Sequence, residues 1–284
     1  MTRARATLVG FSAVALWSLL ALFTVGSAPV PPLQLNAMTF AIGGGIGLVW
    51  VARSGGLGQL RAVGWRVYAF GTAGLFGYHF LYFSALRLAP AAEAGLIAYL
   101  WPLLIVLFSG LLPGERLRPA HLAGAVLAFA GAALIVAGGG ARGSVQPGHL
   151  LALLCALTWA GYSLMSRRLG AVPTAAVAVY CLATAALSAL AHVALEPTVW
   201  PVGGTGWAAV AALGLGPVGL AFYTWDIGVK RGDIQMLGTA SYAAPLLSTL
   251  ALVLAGKAEA STMLALAAML IAGGAVLAAR AGRQ

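Results

Sequence analysis

The sequence predicts an all-α integral membrane protein, with ten transmembrane helices in two inverted five-helix repeats. Three observations predict it. Of the 284 residues, 61% are hydrophobic and only 8% are charged, against about 25% charged in a soluble domain, so hydrocarbon must solvate most of the surface. The apolar residues fall into ten runs, each close to the ~20 residues that cross a bilayer as a helix. A Tyr–Pro pattern also recurs: Tyr99-Leu100-Trp101-Pro102 lies midway along one run and Tyr242-Ala243-Ala244-Pro245 midway along another, with each Tyr and each Pro displaced by 143 positions.

Proline, glycine and charge bound the runs. Run 7–25 follows Arg3 and Arg5 and mimics a signal peptide, but nine runs come after it, so it reads as a retained span. Pro29, Pro31 and Pro32 lead into 34–52. Arg53, Arg61 and Arg66 separate that run from 67–86. Pro90 precedes 92–112, and Pro113 with Arg116, Arg118 and Pro119 precedes 120–138. Gly138-Gly139-Gly140 and Pro147 form a junction before 149–167. Arg167, Arg168 and Pro173 introduce 175–195, and Glu196, Pro197 and Pro201 introduce 207–229. Lys230, Arg231 and Asp233 precede 235–255, and Lys257 precedes 262–280. The first repeat is residues 1–140 and the second 147–284.

The Lys and Arg residues orient the chain. With the N-terminus in the cytoplasm, that side holds Arg3, Arg5, Arg53, Arg61, Arg66, Arg116, Arg118, Arg167, Arg168, Lys230, Arg231, Arg280 and Arg283. The outer side holds only Arg87, Arg142 and Lys257. Thirteen against three satisfies the positive-inside rule and predicts a multi-pass protein of the inner (plasma) membrane with both termini cytoplasmic. The net charge of +10 therefore belongs to topology and lipid headgroups, not to a nucleic-acid surface. Trp50 and Trp65 fit the inner interface, and Trp200 and Trp207 the outer. Trp17, Trp101 and Trp159 fall near mid-span and need another reason.

The repeat extends beyond the Tyr–Pro echo. A shift of 143 pairs Gly71 with Gly214, Phe80 with Tyr223, Tyr82 with Trp225, Arg87 with Lys230 and Gly131 with Gly274; a shift of 142 pairs Trp17 with Trp159. Five spans per half is odd, so the halves run in opposite directions. Inverted repeats with proline-interrupted central helices are an arrangement of membrane transporters. In span five, Gly124, Ala128 and Ala132 make a small-residue face suited to close helix packing; packing within the chain is expected, with a monomer favoured.

Chemistry-bearing side chains are few. Pro102 and Pro245 lack an N–H, which releases the carbonyls of Ala98 and Ser241 and makes both positions candidate hinges. Tyr78, His79 and Tyr82 bring three polar-tipped rings together in hydrocarbon, where the tips need partners or water. They read either as a satisfied structural network or as the wall of a polar, aromatic-lined cavity. His79 itself is open to two readings, a neutral hydrogen-bonding group or a proton carrier. Tyr99 and Trp101 differ by ~200° on an ideal helix, so only distortion lets both face one groove. Asp226 is expected to pair with Lys230 at i,i+4, and Glu93 to sit at the start of span four. Cys155 and Cys181 read as buried free thiols. There is no P-loop, HExxH pair or nucleophile elbow, so neither metal nor cofactor is expected and the chain does not read as an enzyme.

Ala98-Tyr99-Leu100-Trp101-Pro102-Leu103-Leu104-Ile105-Val106-Leu107-Phe108 is similar to the fourth span of one transporter group, and Tyr78-His79-Phe80-Leu81-Tyr82, followed by Ala85-Leu86, to its third. Over its whole length the chain resembles the drug/metabolite transporter superfamily, whose repeat is the EamA domain, and within it the YddG-type aromatic amino acid exporters. The resemblance implies a ten-helix basket around a central cavity and export of phenylalanine, tyrosine and tryptophan by alternating access. It implies a substrate-binding lining of Trp17, Tyr78, His79, Tyr82, Tyr99, Trp101, Trp159, Ser241 and Tyr242. With no acid at mid-membrane, gradient-driven facilitated export is the expected mode. Export of aromatic or quaternary cations is the alternative, and a membrane-embedded enzyme a more distant one.

Overall fold

A computed structural model describes residues 1–137, 146–254 and 262–281. The poly-glycine part of the expected junction, Arg142, Lys257 and Arg283 lie outside the described residues. Every regular element among the described residues is helical: α1 (Arg3–Trp17), α2 (Leu20–Gly26), α3 (Pro32–Arg53), α4 (Leu57–Arg61), α5 (Trp65–Leu88), α6 (Ala91–Ala98), α7 (Trp101–Ser109), α8 (Pro119–Ala137), α9 (Pro147–Arg168), α10 (Ala176–Leu195), α11 (Gly203–Leu215), α12 (Ala221–Arg231), α13 (Ile234–Ala240), α14 (Ala243–Leu254) and α15 (Thr262–Ala281). Among the described residues, five helical stretches are long and apolar enough to cross a membrane: Arg3–Gly26, Pro32–Arg53, Pro147–Arg168, Ala176–Leu195 and Gly203–Arg231.

The expected runs coincide with these elements, but four of them are interrupted. The first breaks at Ser18–Leu19, the fourth at Tyr99–Leu100 and the ninth at Ser241–Tyr242. In the eighth, α11 and α12 are joined by a π-helical turn, Gly216–Leu220, that contains Pro217. The two Tyr breaks fall just before Pro102 and Pro245. A proline ring crowds the preceding turn and supplies no donor, so the chain tightens locally. The Leu100 N–H reaches the Ile97 carbonyl at 3.0 Å, and the Ala244 N–H reaches the Ser241 carbonyl at 3.0 Å. The expectation that Pro245 releases the Ser241 carbonyl is therefore corrected, because a three-residue turn satisfies that oxygen.

Helix packing follows small residues. α8 lies along α15, α3 along α10, α5 along α9, α1 along α12 and α7 along α13. Gly124 of α8 and Gly274 of α15 meet backbone to backbone: a Cβ on Gly124 would sit 2.6 Å from the Gly274 carbonyl oxygen. On the same pair of helices, a Cβ on Gly131 would sit 2.8 Å from the Ala267 carbonyl oxygen. Ala128 and Ala132 are buried beside them, so the small-residue face of α8 is used inside the chain. α1 and α12 approach at Gly10 and Gly228, where a Cβ on Gly10 would lie 2.8 Å from the Gly228 Cα. Ala85 of α5 and Ala152 of α9 share another buried cluster.

The helix ends are tied by charge. Arg3 reaches Glu115 at 3.2 Å and Asp233 at 3.3 Å, and Arg167 pairs with Glu115 from its other side. Arg167 also donates to the carbonyls of Val229 (3.0 Å) and Gly232 (2.7 Å). At the opposite helix ends, Arg87 and His192 both pair with the buried Glu196, which accepts from the first free amides of α3. An anion there offsets the unsatisfied donors of a helix N-terminus. Glu93 pairs with His149 at 2.7 Å. Asp226 and Lys230 form the expected i,i+4 pair at 2.9 Å, buried, with Thr174 donating to the same carboxylate at 2.7 Å. Cys155 and Cys181 are buried and free. Trp50, Trp65, Trp200 and Trp207 are exposed, as interfacial anchors would be.

Candidate functional site

The three mid-span tryptophans converge. Trp17 lies 6.2 Å from Trp101, 5.7 Å from Trp159 and 5.2 Å from Trp225 between ring centroids. Trp101 and Trp159 each also pack on Trp225, at 5.7 and 6.3 Å. Phe222 and Phe40 extend the group, stacked on one another at 5.3 Å. Edge-to-face and offset contacts of this kind contribute about 0.5–1.5 kcal/mol each beyond area burial. Two of the four indole donors are committed: Trp17 Nε1 donates to the Pro217 carbonyl at 3.0 Å and Trp225 Nε1 to Ser163 Oγ at 3.1 Å. Trp101, Trp159, Trp225 and Phe222 are buried, so these rings form a packed floor rather than an open wall.

The polar-tipped rings stand beside this floor. Tyr78 packs on Trp159 at 5.2 Å and stacks parallel to Tyr82 at 6.1 Å, as side chains one helical turn apart on α5 can. His79, on the neighbouring stripe, meets Phe40 at 5.0 Å and Phe222 at 6.0 Å. Its Nδ1 lies 2.7 Å from the Leu75 carbonyl oxygen. Tyr78, Tyr82 and Tyr99 lie within electrostatic reach of one another. All four residues are half-buried, as is every residue of α5 from Phe76 to Ser84. Among the described residues, no partner accepts from or donates to the hydroxyls of Tyr78, Tyr82 and Tyr99, or to His79 Nε2. In the middle of a hydrophobic helix bundle such tips need a hydrogen-bonding occupant, either water or solute.

The break at Tyr99–Leu100 separates the two residues that an ideal helix would hold ~200° apart. Trp101 joins the tryptophan floor, while Tyr99 packs with Leu103, Phe129 and Tyr242. Ser241 and Tyr242 do not join the tryptophan floor, although Tyr242 shares a cluster with Tyr99. Both are fully buried. Ser241 Oγ donates to the Leu237 carbonyl at 2.7 Å, and the Tyr242 hydroxyl accepts from the Leu103 N–H at 3.0 Å. The break at Tyr99–Leu100 leaves the Leu103 N–H, in the first turn of α7, without an intrahelical acceptor, and Tyr242 of the other broken stretch supplies one.

Four participants escaped sequence reading: Phe222, Phe40, Pro217 and Trp225, the last of which had appeared only as the repeat counterpart of Tyr82. Phe40 carried no signal beyond being an aromatic near mid-span. Pro217 did carry one, since a mid-span proline had been singled out twice elsewhere. π-helical turns of this type expose a carbonyl, and they recur at functional sites. His121 and His149 have plain roles: their Nδ1 atoms accept from the Arg118 and Gln146 N–H groups, each at 3.1 Å, three residues earlier.

Apolar helices around a central group of polar-tipped rings define a membrane transport protein, and the chain belongs to the EamA-like transporter family, whose model matches residues 4–137 and again 146–280. It is 59% identical over 289 aligned residues to the aromatic amino acid exporter YddG of Ancylobacter novellus, with 100% of both chains covered. Identity is 27% to the exporter of that name from Salmonella typhimurium, covering 88% of each, and 25% to that of Escherichia coli, covering 98% and 97%. A crystal structure 57% identical to the chain superposes with a TM-score of 0.93, with 100% of both chains covered.

Proposed function

We infer that this protein exports aromatic amino acids across the inner membrane by alternating access. One observation carries the reading beyond the kinship: three tyrosine hydroxyls and one imidazole nitrogen stand unpaired beside a packed aromatic floor. A solute with a flat apolar ring and a polar end matches that surface. The ring stacks on the floor formed by Trp17, Trp101 and Trp159, and the amino and carboxylate groups meet Tyr78, His79, Tyr82 and Tyr99. Ser241 and Tyr242 act from behind, holding the broken helices in register. No carboxylate stands among these rings in the described residues, which favours a zwitterion over a dication.

The reading includes ten spans in two inverted repeats, 1–140 and 147–284, with both termini cytoplasmic. Support comes from contacts that recur after a shift of 142 or 143. Gly10 against Gly228 corresponds to Ala152 beside Ala85, and Gly124 against Gly274 corresponds to Ala267 against Gly131. Trp17 touches its own counterpart Trp159, and His79 touches Phe222, as residues next to a pseudo-twofold axis would. In this orientation the Arg3–Glu115–Arg167–Asp233 lattice draws the cytoplasmic ends together. In this reading the half-buried stretch Phe76–Ser84 lies in the outer half of its span, which favours an outward-facing state.

The test is flux of radiolabelled phenylalanine from proteoliposomes. Tyr99→Ala and Trp101→Ala are expected to lower it in correctly inserted protein, and unaltered flux would sink the assignment of the site. Competition by unlabelled phenylalanine but not by an aromatic dication separates this reading from cation export.

A further inference from the structure

The outward side of α9 carries an apolar stripe with a gap in it. Leu150, Leu154, Leu157, Gly161, Met165 and Arg168 recur every three or four residues, as one helical face requires, and all are exposed. At Gly161 the stripe is bare: an added Cβ would meet nothing within 4 Å.

Two hollows meet at this glycine. One, of about 300 Å³, lies between α9 and the end of α7 and is walled by Phe108, Leu111, Leu112, Leu164 and Met165, with Arg168 at its mouth. The other, of about 370 Å³, lies between α9 and α5 and is walled by Phe70, Ala73, Gly77, Leu157 and Thr158. Gly161 lines both. From Leu157 to Arg168 the helix rises ~16 Å at 1.5 Å per residue, about half of the ~30 Å hydrocarbon core. The hollows therefore span one leaflet.

The mouth has unused charge. Arg168 Nη2 donates to the Leu111 carbonyl at 3.0 Å, one of the five N–H groups of a guanidinium. Among the described residues no carboxylate pairs with Arg168, whereas its neighbour Arg167 is held by Glu115. A cation at headgroup depth above two apolar slots matches an anionic headgroup carrying two chains. Both are shallow, open and lined mainly by apolar side chains, a surface along which an extended acyl chain can lie.

We propose that this double groove binds one anionic diacyl glycerophospholipid of the cytoplasmic leaflet, its phosphate on Arg168 and one acyl chain on each side of Gly161. The placement of Arg168 at the cytoplasmic face rests on the orientation argued above; the binding itself does not depend on which solute is transported.

Native mass spectrometry and thermal unfolding of the detergent-purified chain test it. Phosphatidylglycerol is expected to give a one-to-one adduct and a higher Tm, phosphatidylcholine a weaker effect, and glycerol 3-phosphate, which has no chains, none. Arg168→Gln should leave the lipid-free Tm in place yet weaken phosphatidylglycerol binding by about tenfold or more, the scale of a lost charge-assisted hydrogen bond. Gly161→Leu, whose side chain enters open space, should remove the adducts of both lipids while phenylalanine flux persists. Equal stabilisation by the two phospholipids, or phosphatidylglycerol adducts that survive both substitutions, would overturn the proposal. So would a dimer that Gly161→Leu dissolves, which would make a second copy the occupant.

Discussion

His79 Nδ1 lies 2.7 Å from the carbonyl oxygen of Leu75, one turn back along α5. A carbonyl only accepts, so Nδ1 carries the ring proton and Nε2 presents a lone pair, an assignment made from the hydrogen-bond network. With no carboxylate among these rings in the described residues, that lone pair is an acceptor for a substrate ammonium group. His79→Ala is expected to lower phenylalanine flux by about tenfold or more, since a hydrogen bond to a charged group contributes roughly 1.5–3 kcal/mol. Competition by 3-phenylpropionate, which lacks the amine, should be equal in the parent and the variant. Flux that depends on a pH gradient and loses that dependence in His79→Ala would instead make the residue a proton carrier.

Tyr242 and Tyr99 are expected to separate cleanly. The Tyr242 hydroxyl satisfies the Leu103 amide at the start of α7, so Tyr242→Phe leaves a buried donor unpaired, at a cost of about 1–3 kcal/mol. Thermal unfolding in detergent should show a lower Tm, with little change in the KM for phenylalanine in the protein that remains folded. Tyr99→Phe removes a hydroxyl that has no partner, so it should leave Tm in place and raise KM.

Much of this was legible in the residues, and the limits are physical. Composition and run length located the helices within a few residues, because a bilayer selects length and apolarity directly. The rings of Trp17, Trp101, Trp159, Tyr78, His79 and Tyr82 were legible for the same reason, since a polar-tipped or bulky ring at mid-span has few other uses. Ser241 and Tyr242 were not legible as structural ties. Their roles depend on where the Leu103 amide and the Leu237 carbonyl fall in space, and spacing along the chain does not reveal that. The π-helical turn at Pro217 was hidden similarly: proline predicts a disturbed helix but does not say whether the turn will tighten or widen.

The α8–α15 seam gives a stability prediction. Gly124 has the Gly274 carbonyl oxygen and the Ala278 backbone nitrogen within 3.0 Å of its would-be Cβ, and backbone cannot move aside as a flexible side chain can. Gly124→Val is expected to destabilise the protein by about 1–3 kcal/mol, the usual range for overpacking. Gly45→Val is the control, because its Cβ would meet nothing within 4 Å. Thermal unfolding of the two variants beside the parent should show a drop in Tm for the first alone.

Glu115 should govern access from the cytoplasm. Its carboxylate is nearly buried and joins Arg3 to Arg167, while Arg167 keeps its bonds to Val229 and Gly232, and Arg3 its bond to Asp233. Glu115→Gln therefore unlinks α1 from α9 without leaving either arginine unpartnered, so the fold should survive where an isolated buried charge would threaten it. Ser163, buried on α9 beneath this lattice and bonded to Trp225, is a suitable reporter once Cys155 and Cys181 are replaced by serine. With Ser163→Cys in that background, Glu115→Gln is expected to speed labelling by an impermeant thiol reagent applied from the cytoplasmic side by about tenfold, because removing one charged bridge shifts a two-state equilibrium by that order. Arg3→Gln should act in the same direction but more weakly, since that side chain is 54% exposed and already screened. Labelling unchanged by Glu115→Gln, in protein with an unaltered Tm, would mean that the lattice only braces the helix ends and does not hold the inner path closed.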